Sequence, residues 1–280
     1  MTAVLLAVAT AACFGVANFT GGLASRRDMA LAVTANAHML GALLLGIAAI
    51  LFPAREVAFS DVAWGGIAGV TGGFAVVALY AALAWGRMSV VAPLTAAISA
   101  AIPAIYDVAS GTVLRPVTGI GIALALVAVL VASAAGDTES RAAMPLKAVL
   151  LSVAAGVGFS VTLIAYAQSG ADSGFVPLVS ARIVSTTLLG VMTFARIRRY
   201  LVVPGARAFA LGSGAVDALA NVALITALRI GPLALVSVLS SMHPVVTILL
   251  ARAFLGERLK GLQRAGVALA LVAVTLTALA

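Results

Sequence analysis

The sequence predicts an all-α polytopic membrane protein, with ten transmembrane helices arranged as two five-helix repeats of inverted topology. Three observations lead to this prediction. Hydrophobic residues make up 63% of the 280-residue chain and charged residues only 9%, whereas soluble domains contain roughly 25% charged residues. The apolar residues fall into long runs. A nine-residue phrase also recurs, because GIALALVAV at 121–129 returns as GVALALVAV at 266–274.

Ten apolar runs are long enough to cross a bilayer, since a spanning helix needs about 20 predominantly apolar residues. Most of the gaps between them are short, and several contain the glycine or proline residues that end helices. The longest polar gap is 136–147. The predicted spans, numbered 1 to 10 in chain order, are 3–24, 30–52, 62–85, 88–110, 116–135, 148–169, 174–195, 207–229, 232–255 and 262–280.

The recurring phrase supplies an offset of 145 positions, which also aligns Gly86 with Gly231 and Phe14 with Phe159. We therefore expect one unit written twice. The predicted division is 1–135 for the first repeat, 136–147 for the connecting loop and 148–280 for the second repeat. Because each repeat has an odd number of spans, the second one enters the membrane from the opposite side. Paired repeats of this kind are typical of transporters that bind their substrate between the two halves.

The Lys and Arg residues predict the orientation, because cytoplasmic loops carry an excess of them. Twelve fall on one side of the predicted spans and three on the other, which predicts a multi-pass protein of the cytoplasmic membrane with both termini outside. The first side carries Arg26, Arg27, Arg87, Arg141, Lys147, Arg196, Arg198, Arg199, Arg207, Arg258, Lys260 and Arg264, and the second carries Arg55, Arg115 and Arg229.

The same distribution narrows the expected partners. The formal net charge of +8 lies in short loops between apolar runs, so it does not indicate a nucleic-acid partner. The expected partners are the lipid bilayer and a small-molecule substrate, with the chain acting as a monomer or homodimer.

Charged side chains inside the predicted spans are candidate site residues, because a charge in the bilayer core is costly unless it is paired or faces water. Asp217 lies near the middle of span 8, with Asn221 on the same helix face. Arg182 lies deep in span 7. We expect Arg182 and Asp217 to pair across a cavity when it is empty, and a substrate to compete for one of them. The alternative is an ion pair that only packs helices together.

Further polar residues inside the spans are candidates with weaker support. His243 is central in span 9 and precedes Pro244, which frees the carbonyl of Ser240 from helical hydrogen bonding. Since histidine titrates near neutral pH, His243 could carry a proton. The alternative is a buried histidine with satisfied hydrogen bonds. The first repeat offers three candidates, which are His38, Asn18 and Asn36. Such side chains also serve simply to join helices by hydrogen bonding.

Asp107 lies one turn inside the end of span 4 and is a candidate for an outer gate. At the 145-residue offset its counterpart is Arg252. Inverted topology places these two residues toward opposite faces of the membrane, so no bond between them is expected. Arg252 is expected to extend to the cytoplasmic surface, and Asp107 is expected to pair with Arg115 or Arg229.

The motifs of several common enzyme chemistries are missing. The sequence contains no HExxH, GxSxG, CxxC or GxxxxGK[ST]. We therefore predict no catalytic residues, no metal site, no cofactor and no enzymatic activity. Proton coupling and passive, uncoupled transport are both compatible with the polar residues above, and an intramembrane enzyme or lipid-handling protein is a remote alternative.

Specific sequence features resemble EamA-type proteins of the drug/metabolite transporter superfamily. In the second half these are ALRIGP at 227–232, the mid-helix Pro244, LGER at 255–258 and the glycine-led last span at Gly266. The first half is similar at 82–105, which reads ALAWGRMSVVAPLTAAISAAIPAI. It departs from the family at 111–115, GTVLR, where members often have an acidic turn.

This resemblance implies a ten-helix carrier with an inverted repeat. Its cavity would be lined mainly by helices 1–4 and 6–9, with helices 5 and 10 as scaffold. It also implies that the LGER turn caps a helix connection and does not touch substrate. The resemblance does not identify a substrate, because members export amino acids, nucleotides, sugars or drugs.

Overall fold

The computed structural model describes residues 1–85, 88–134 and 145–255, together with scattered positions between 261 and 276. Within these residues the chain is helical and contains no strand. The helices are α1 (Thr2–Ser25), α2 (Ala30–Leu51), α3 (Phe59–Trp85), α4 (Met88–Ala109), α5 (Pro116–Ala134), α6 (Leu146–Ala167), α7 (Val176–Ile197), α8 (Pro204–Ile230), α9 (Leu233–Ser240) and α10 (His243–Leu255).

Six of these helices are long and apolar enough to cross a membrane by length and composition. They are α1, α2, α3, α6, α7 and α8. The fold is therefore that of an all-helical polytopic membrane protein. Several predictions fall outside the described residues: most of the 136–147 loop, Gly86 and Arg87, the LGER turn and most of span 10.

Predicted span 9 is divided near its middle by a two-residue turn. The helix ends at Ser240, and a second one begins at His243 after a two-residue turn. Pro244 explains the position of the break, because proline has no N–H and its ring clashes with the carbonyl four residues earlier, which is that of Ser240. The consequence is a discontinuous helix inside the bundle.

The helices of the two halves pack against each other in a reciprocal pattern. The most extensive contact of α1 is with α8, and the most extensive contact of α3 is with α6. At the 145-residue offset α1 corresponds to α6 and α3 corresponds to α8. α2 packs on its counterpart α7, and α4 packs on α9. The core of the bundle is thus built between the first and second halves of the chain.

Glycines allow the backbones of neighbouring helices to touch at two places that position the interior. A Cβ at Gly69 of α3 would overlap the carbonyl oxygen of Ala181 in α7. A Cβ at Gly214 of α8 would overlap the carbonyl oxygen of Ala37 in α2. These contacts bring α7 and α8 close to the helices of the first half.

Loops from the two halves are joined at both ends of the bundle. At one end, which we call the basic end, the 26–29 loop meets the 198–203 loop, and Asp28 binds Arg199 at 2.5 Å and the backbone N–H of Val203 at 2.8 Å. At the opposite end, which we call the far end, the backbone N–H of Arg55 donates to the Asp172 carbonyl at 3.0 Å.

Replacement of Gly69 by alanine should destabilise the fold, because the added methyl group has no space against the α7 backbone. We expect a loss of about 1–3 kcal/mol, as for other overpacked interiors, measured as a lower midpoint of thermal unfolding in detergent. Gly66→Ala is the matched control on the same helix, since its Cβ would meet only Val184 at 3.9 Å. Equal midpoints for the two variants would contradict the close contact.

The Asp28 contacts predict an acid-dependent loss of stability at the basic end. Burial raises the pKa of Asp28, but hydrogen bonds from Arg199 and from the backbone N–H groups of Val203 and Met29 outweigh burial and hold the pKa below its ordinary 3.8. The stabilisation is therefore present above that ordinary value and is lost as the pH falls through the lowered pKa.

Asp28→Asn should unfold at a lower temperature than the native sequence at neutral pH, and the difference should shrink as the pH falls below about 4. Thermal unfolding across this pH range measures both quantities. A difference that stays constant at every pH would show that the charge of Asp28 contributes nothing.

Candidate functional site

A cavity lies at the centre of the bundle, between helices from both halves of the chain. Its volume is about 100 Å³, which is well above the space that one water molecule needs. Its lining residues come from α1–α4, α6–α10 and the turn between α9 and α10. They are Phe14, Asn18, His38, Ala68, Gly69, Gly72, Gly73, Val76, Ser99, Phe159, Thr162, Leu163, Tyr166, Ala181, Arg182, Ser185, Asp217, Asn221, Leu224, Ser240, Ser241 and His243.

The strongest interaction in the cavity is an ion pair between Nη2 of Arg182 and Oδ2 of Asp217. Asp217 lies at the midpoint of α8, which runs from Pro204 to Ile230. The side chains are 8% and 21% exposed, respectively, so the carboxylate is the partner that the cavity can reach more easily. The pairing expected from the sequence is confirmed.

Two neighbours hold this ion pair in place. Asn221, one turn after Asp217 in α8, donates from Nδ2 to the Asp217 carboxylate at 3.2 Å. Gly41 of α2 lies beside Arg182, and a Cβ at Gly41 would be in ordinary van der Waals contact with Nε of Arg182, at 3.5 Å. Nε is buried and has no hydrogen-bond partner among the described residues. Arg182 therefore keeps one donor unused while its other end binds Asp217.

Both histidines line the cavity, and each is bonded across it. Asn18 of α1 lies with its Nδ2 3.3 Å from Nδ1 of His243 at the start of α10. His38 of α2 is hydrogen-bonded through Nδ1 to Oγ of Ser185 in α7 at 3.0 Å. The structure thus brings Asn18, His38 and His243 to the same cavity as Arg182 and Asp217.

The predicted candidate Asn36 lies elsewhere. Its amide donates to the carbonyl of Ala32 at 2.8 Å and to that of Tyr200 at 2.7 Å, toward the basic end, and it does not line the cavity. Asn36 is two residues from His38, and residues two apart on a helix do not share a face. Asn36 is therefore not part of the cavity lining, and a site role for it stays a prediction.

Asp107 has a structural partner that the sequence did not suggest. Its carboxylate accepts the backbone N–H of Ala234 at 2.7 Å, in the first turn of α9, and the hydroxyl of Thr112 at 2.8 Å. Asp107 of α4 thereby caps the N-terminus of α9 across the two halves. Arg229, one expected partner, donates instead to Ser173 and to the Gly174 carbonyl. A gating role for Asp107 stays a prediction.

The second half of the chain matches a known protein family. Residues 146–279 match the EamA-like transporter family. This half of the chain belongs to the EamA-like transporters. The resemblance inferred from ALRIGP and Pro244 is confirmed by this match.

Similarity to a known structure covers nearly the whole chain. A protein of known crystal structure is 20% identical, covers 97% of this chain and 98% of its own, and gives a TM-score of 0.74. At this identity the similarity establishes the fold alone. No curated protein matches the chain.

In this EamA-like protein the sequence had pointed to polar residues only, and the apolar walls of the cavity were missed. Phe14 of α1 and Phe159 of α6 line the cavity, one from each half. They are counterparts at the 145-residue offset, and this identity between the two repeats is the sequence signal that could have identified them as cavity residues. Tyr166, 4% exposed, lines the cavity near the far end of α6. The cavity is therefore amphipathic, with charged groups beside aromatic rings.

A second group that the sequence analysis missed lies at the break between α9 and α10. Oγ of Ser241 lies 3.2 Å from Oγ of Ser99 in α4, and both side chains line the cavity. Ser240 also lines it. The end of α9 and the turn after it therefore present hydroxyl groups to the cavity. Among the described residues, no three His, Cys, Asp or Glu side chains are grouped to hold a metal ion.

The ion pair predicts non-additive effects on stability. Asp217→Asn leaves the Arg182 charge without its partner, and removing one member of a buried pair typically costs about 3–5 kcal/mol. Arg182→Gln leaves the carboxylate unpaired, with a similar cost. The double variant Arg182→Gln/Asp217→Asn should recover much of the loss. Thermal unfolding of the four proteins measures the coupling, and additive losses would show that the two side chains do not stabilise each other.

Proposed function

We propose that this EamA-like protein is a secondary transporter that exports a small organic metabolite by alternating access. It would act in the cytoplasmic membrane with both termini outside. The observation that carries the proposal is the Arg182–Asp217 ion pair, which lies in a cavity at the middle of a membrane helix bundle. A charged pair in this position is costly to maintain and is typical of substrate and ion pathways.

The charges of the cavity favour an amino-acid-like, zwitterionic substrate. Arg182 offers a cation for a carboxylate, and its unused Nε offers a further donor. Asp217 offers an anion for an ammonium group, and its greater exposure makes it accessible. A zwitterion would replace the internal ion pair by two new pairs, so no charge would be left without a partner during binding. The Phe14 and Phe159 rings would contact the apolar part of the substrate, and this contact also fits a drug-like molecule.

The reciprocal packing of the helices supports two inverted repeats. The contact of α1 with α8 corresponds to the contact of α6 with α3, and α2 meets its own counterpart α7. The α9–α10 break supports a binding site at this level, because discontinuous helices form the sites of many transporters with inverted repeats.

The joined loops at the two ends support alternating access. At the basic end Asp28 holds the 198–203 loop, and at the far end Asp172 accepts from Arg55 in the 52–58 loop. Each contact joins the two halves of the chain. Opening one set while the other stays closed would give the cavity access to one side of the membrane at a time.

Proton coupling is the form of energy supply that the cavity favours, through Asp217 and His243. The alternative is a passive facilitator, in which substrate flux follows its own gradient. The two differ in a measurable way. In proteoliposomes, coupled transport should accelerate when a pH gradient is imposed, whereas flux that ignores the gradient would remove both residues from a coupling role.

The first experiment is a thermal-shift screen of metabolites on the purified protein. A ligand at about 100 times its dissociation constant stabilises the folded state by about 2.7 kcal/mol, so a cavity ligand should raise the unfolding midpoint. We expect amino-acid-like zwitterions to raise it, and their decarboxylated or amidated analogues to fail. The hits are then tested for flux in proteoliposomes.

Two controls connect the hits to the cavity. The Arg182→Gln/Asp217→Asn double variant should fold and lose the thermal shift. Ser180→Ala in the α3–α7 contact, where the Ser180 hydroxyl donates to the Val62 carbonyl at 2.7 Å, should keep the shift, because neither residue lines the cavity. A shift retained by the double variant, or no flux of any hit, would contradict the proposal.

A further inference from the structure

A second concave surface lies between α2 and α7 at the basic end, and we call it the lateral groove. Its volume is about 260 Å³. None of its lining residues lines the central cavity. They are Ala35, Asn36, Met39, Thr186, Thr187, Gly190, Val191, Tyr200 and Leu201.

The lateral groove opens toward the lipid, because large apolar side chains along it are exposed on the outside of the bundle. Met39 of α2 is 46% exposed, Val191 of α7 is 59% exposed, and Leu201 is 52% exposed. The groove runs from the middle of α7, at Thr186, toward the loop that follows the end of this helix. An elongated apolar molecule lying parallel to the helices would therefore fit along it.

Two polar residues of the groove, Thr186 and Asn36, are turned away from such a molecule or already bonded. The hydroxyl oxygen of Thr186 is buried, so it does not face the open groove. Asn36 is 4% exposed, and its amide is bonded to the carbonyls of Ala32 and Tyr200. An acyl chain could thus lie against these two residues without leaving a further polar group unsatisfied, which would be costly.

Gly190 of α7 leaves the space of the groove open, whereas the corresponding position of the first repeat carries a large side chain. At the 145-residue offset Gly190 corresponds to Leu45 of α2. Leu45 is 1% exposed, so its side chain occupies the interior at the far end of the same helix pair. At Gly190, a Cβ would meet only the Tyr200 ring, at 3.9 Å. The groove is therefore present at the basic end because a glycine stands where the other copy has leucine.

The mouth of the groove is positively charged. Arg198 and Arg199 immediately precede Tyr200 in the chain. Arg199 binds Asp28, whereas Arg198 is exposed and forms no ion pair within the described part of the chain. The Tyr200 ring stacks on Phe194 with 4.8 Å between ring centroids, which holds this loop against α7. An anionic headgroup at the membrane surface would find a cation at this end of the groove.

We propose that the lateral groove is a binding site for an anionic phospholipid of the leaflet at the basic end. One acyl chain lies along Gly190 and Val191, and the phosphate group lies at Arg198. This site is separate from the central cavity. It does not depend on the transported substrate, and its test does not require transport.

The test is a titration of the purified full-length protein in detergent with phosphatidylglycerol or with phosphatidylcholine, with bound lipid counted by native mass spectrometry. We expect the native sequence to bind phosphatidylglycerol more tightly. Gly190→Leu, which reproduces the leucine of the other copy, should weaken this binding at least about tenfold by filling the groove. Arg198→Gln should weaken it about fivefold, since one arginine near the membrane surface contributes about 1 kcal/mol to the binding of anionic lipid.

Matched variants separate the site from general effects. Gly46→Leu adds the same side chain at a glycine of α2 that has nothing within 4 Å of its Cβ position, and it should bind phosphatidylglycerol as the native sequence does. Arg198→Gln should leave phosphatidylcholine binding unchanged. Native-like binding by Gly190→Leu, an equal loss in Gly46→Leu, or equal affinity of the native sequence for both lipids would each overturn the proposal.

Discussion

The Arg182–Asp217 ion pair is the constraint around which the interior of this EamA-like protein is built. Two charges in a membrane interior need each other, because neither can be solvated by lipid. The pair joins α7 and α8, each of which packs on α2. Gly69 lets α3 contact the backbone of α7, and Gly214 lets α8 contact the backbone of α2. The small residues and the charged residues are thus parts of one arrangement.

The bonds across the cavity differ in strength according to what they join. The ion pair lies within the second half of the chain. At the cavity, the bonds between the halves are hydrogen bonds, from α1 to α10, from α2 to α7 and from α4 to the α9–α10 turn. The Asp28–Arg199 ion pair joins the halves at the basic end, away from the cavity. A neutral hydrogen bond contributes only about 0.5–1.5 kcal/mol. A relative movement of the halves, as in the proposed transport cycle, would therefore exchange only weak bonds at the cavity, because Arg182 and Asp217 lie on the same half.

The two copies of the repeat differ at the charged residues of the cavity and at the glycine of the lateral groove. Arg182, Asp217 and His243 stand opposite Ala37, Gly72 and Ile98 at the 145-residue offset, so the charged groups of the cavity come from one copy. The same comparison sets Gly190 against the buried Leu45, and only the glycine leaves a groove. Conversely, Phe14 and Phe159 are identical in the two copies and both line the cavity. The repeat therefore supplies symmetric apolar walls and asymmetric charges.

The sequence alone determined the membrane class, the first eight helices to within a few residues and the Arg182–Asp217 pair. These features depend on the length of apolar runs and on the cost of an unpaired charge in lipid, both of which are local. Only the tertiary structure decided that Asn18 faces the cavity while Asn36 does not, that the helix breaks at 241–242, and that a groove opens at Gly190. In a bilayer the lipid-facing and core-facing sides of a helix are both apolar. Hydrophobic periodicity consequently cannot show which side turns inward, and the packing of the other helices has to settle it.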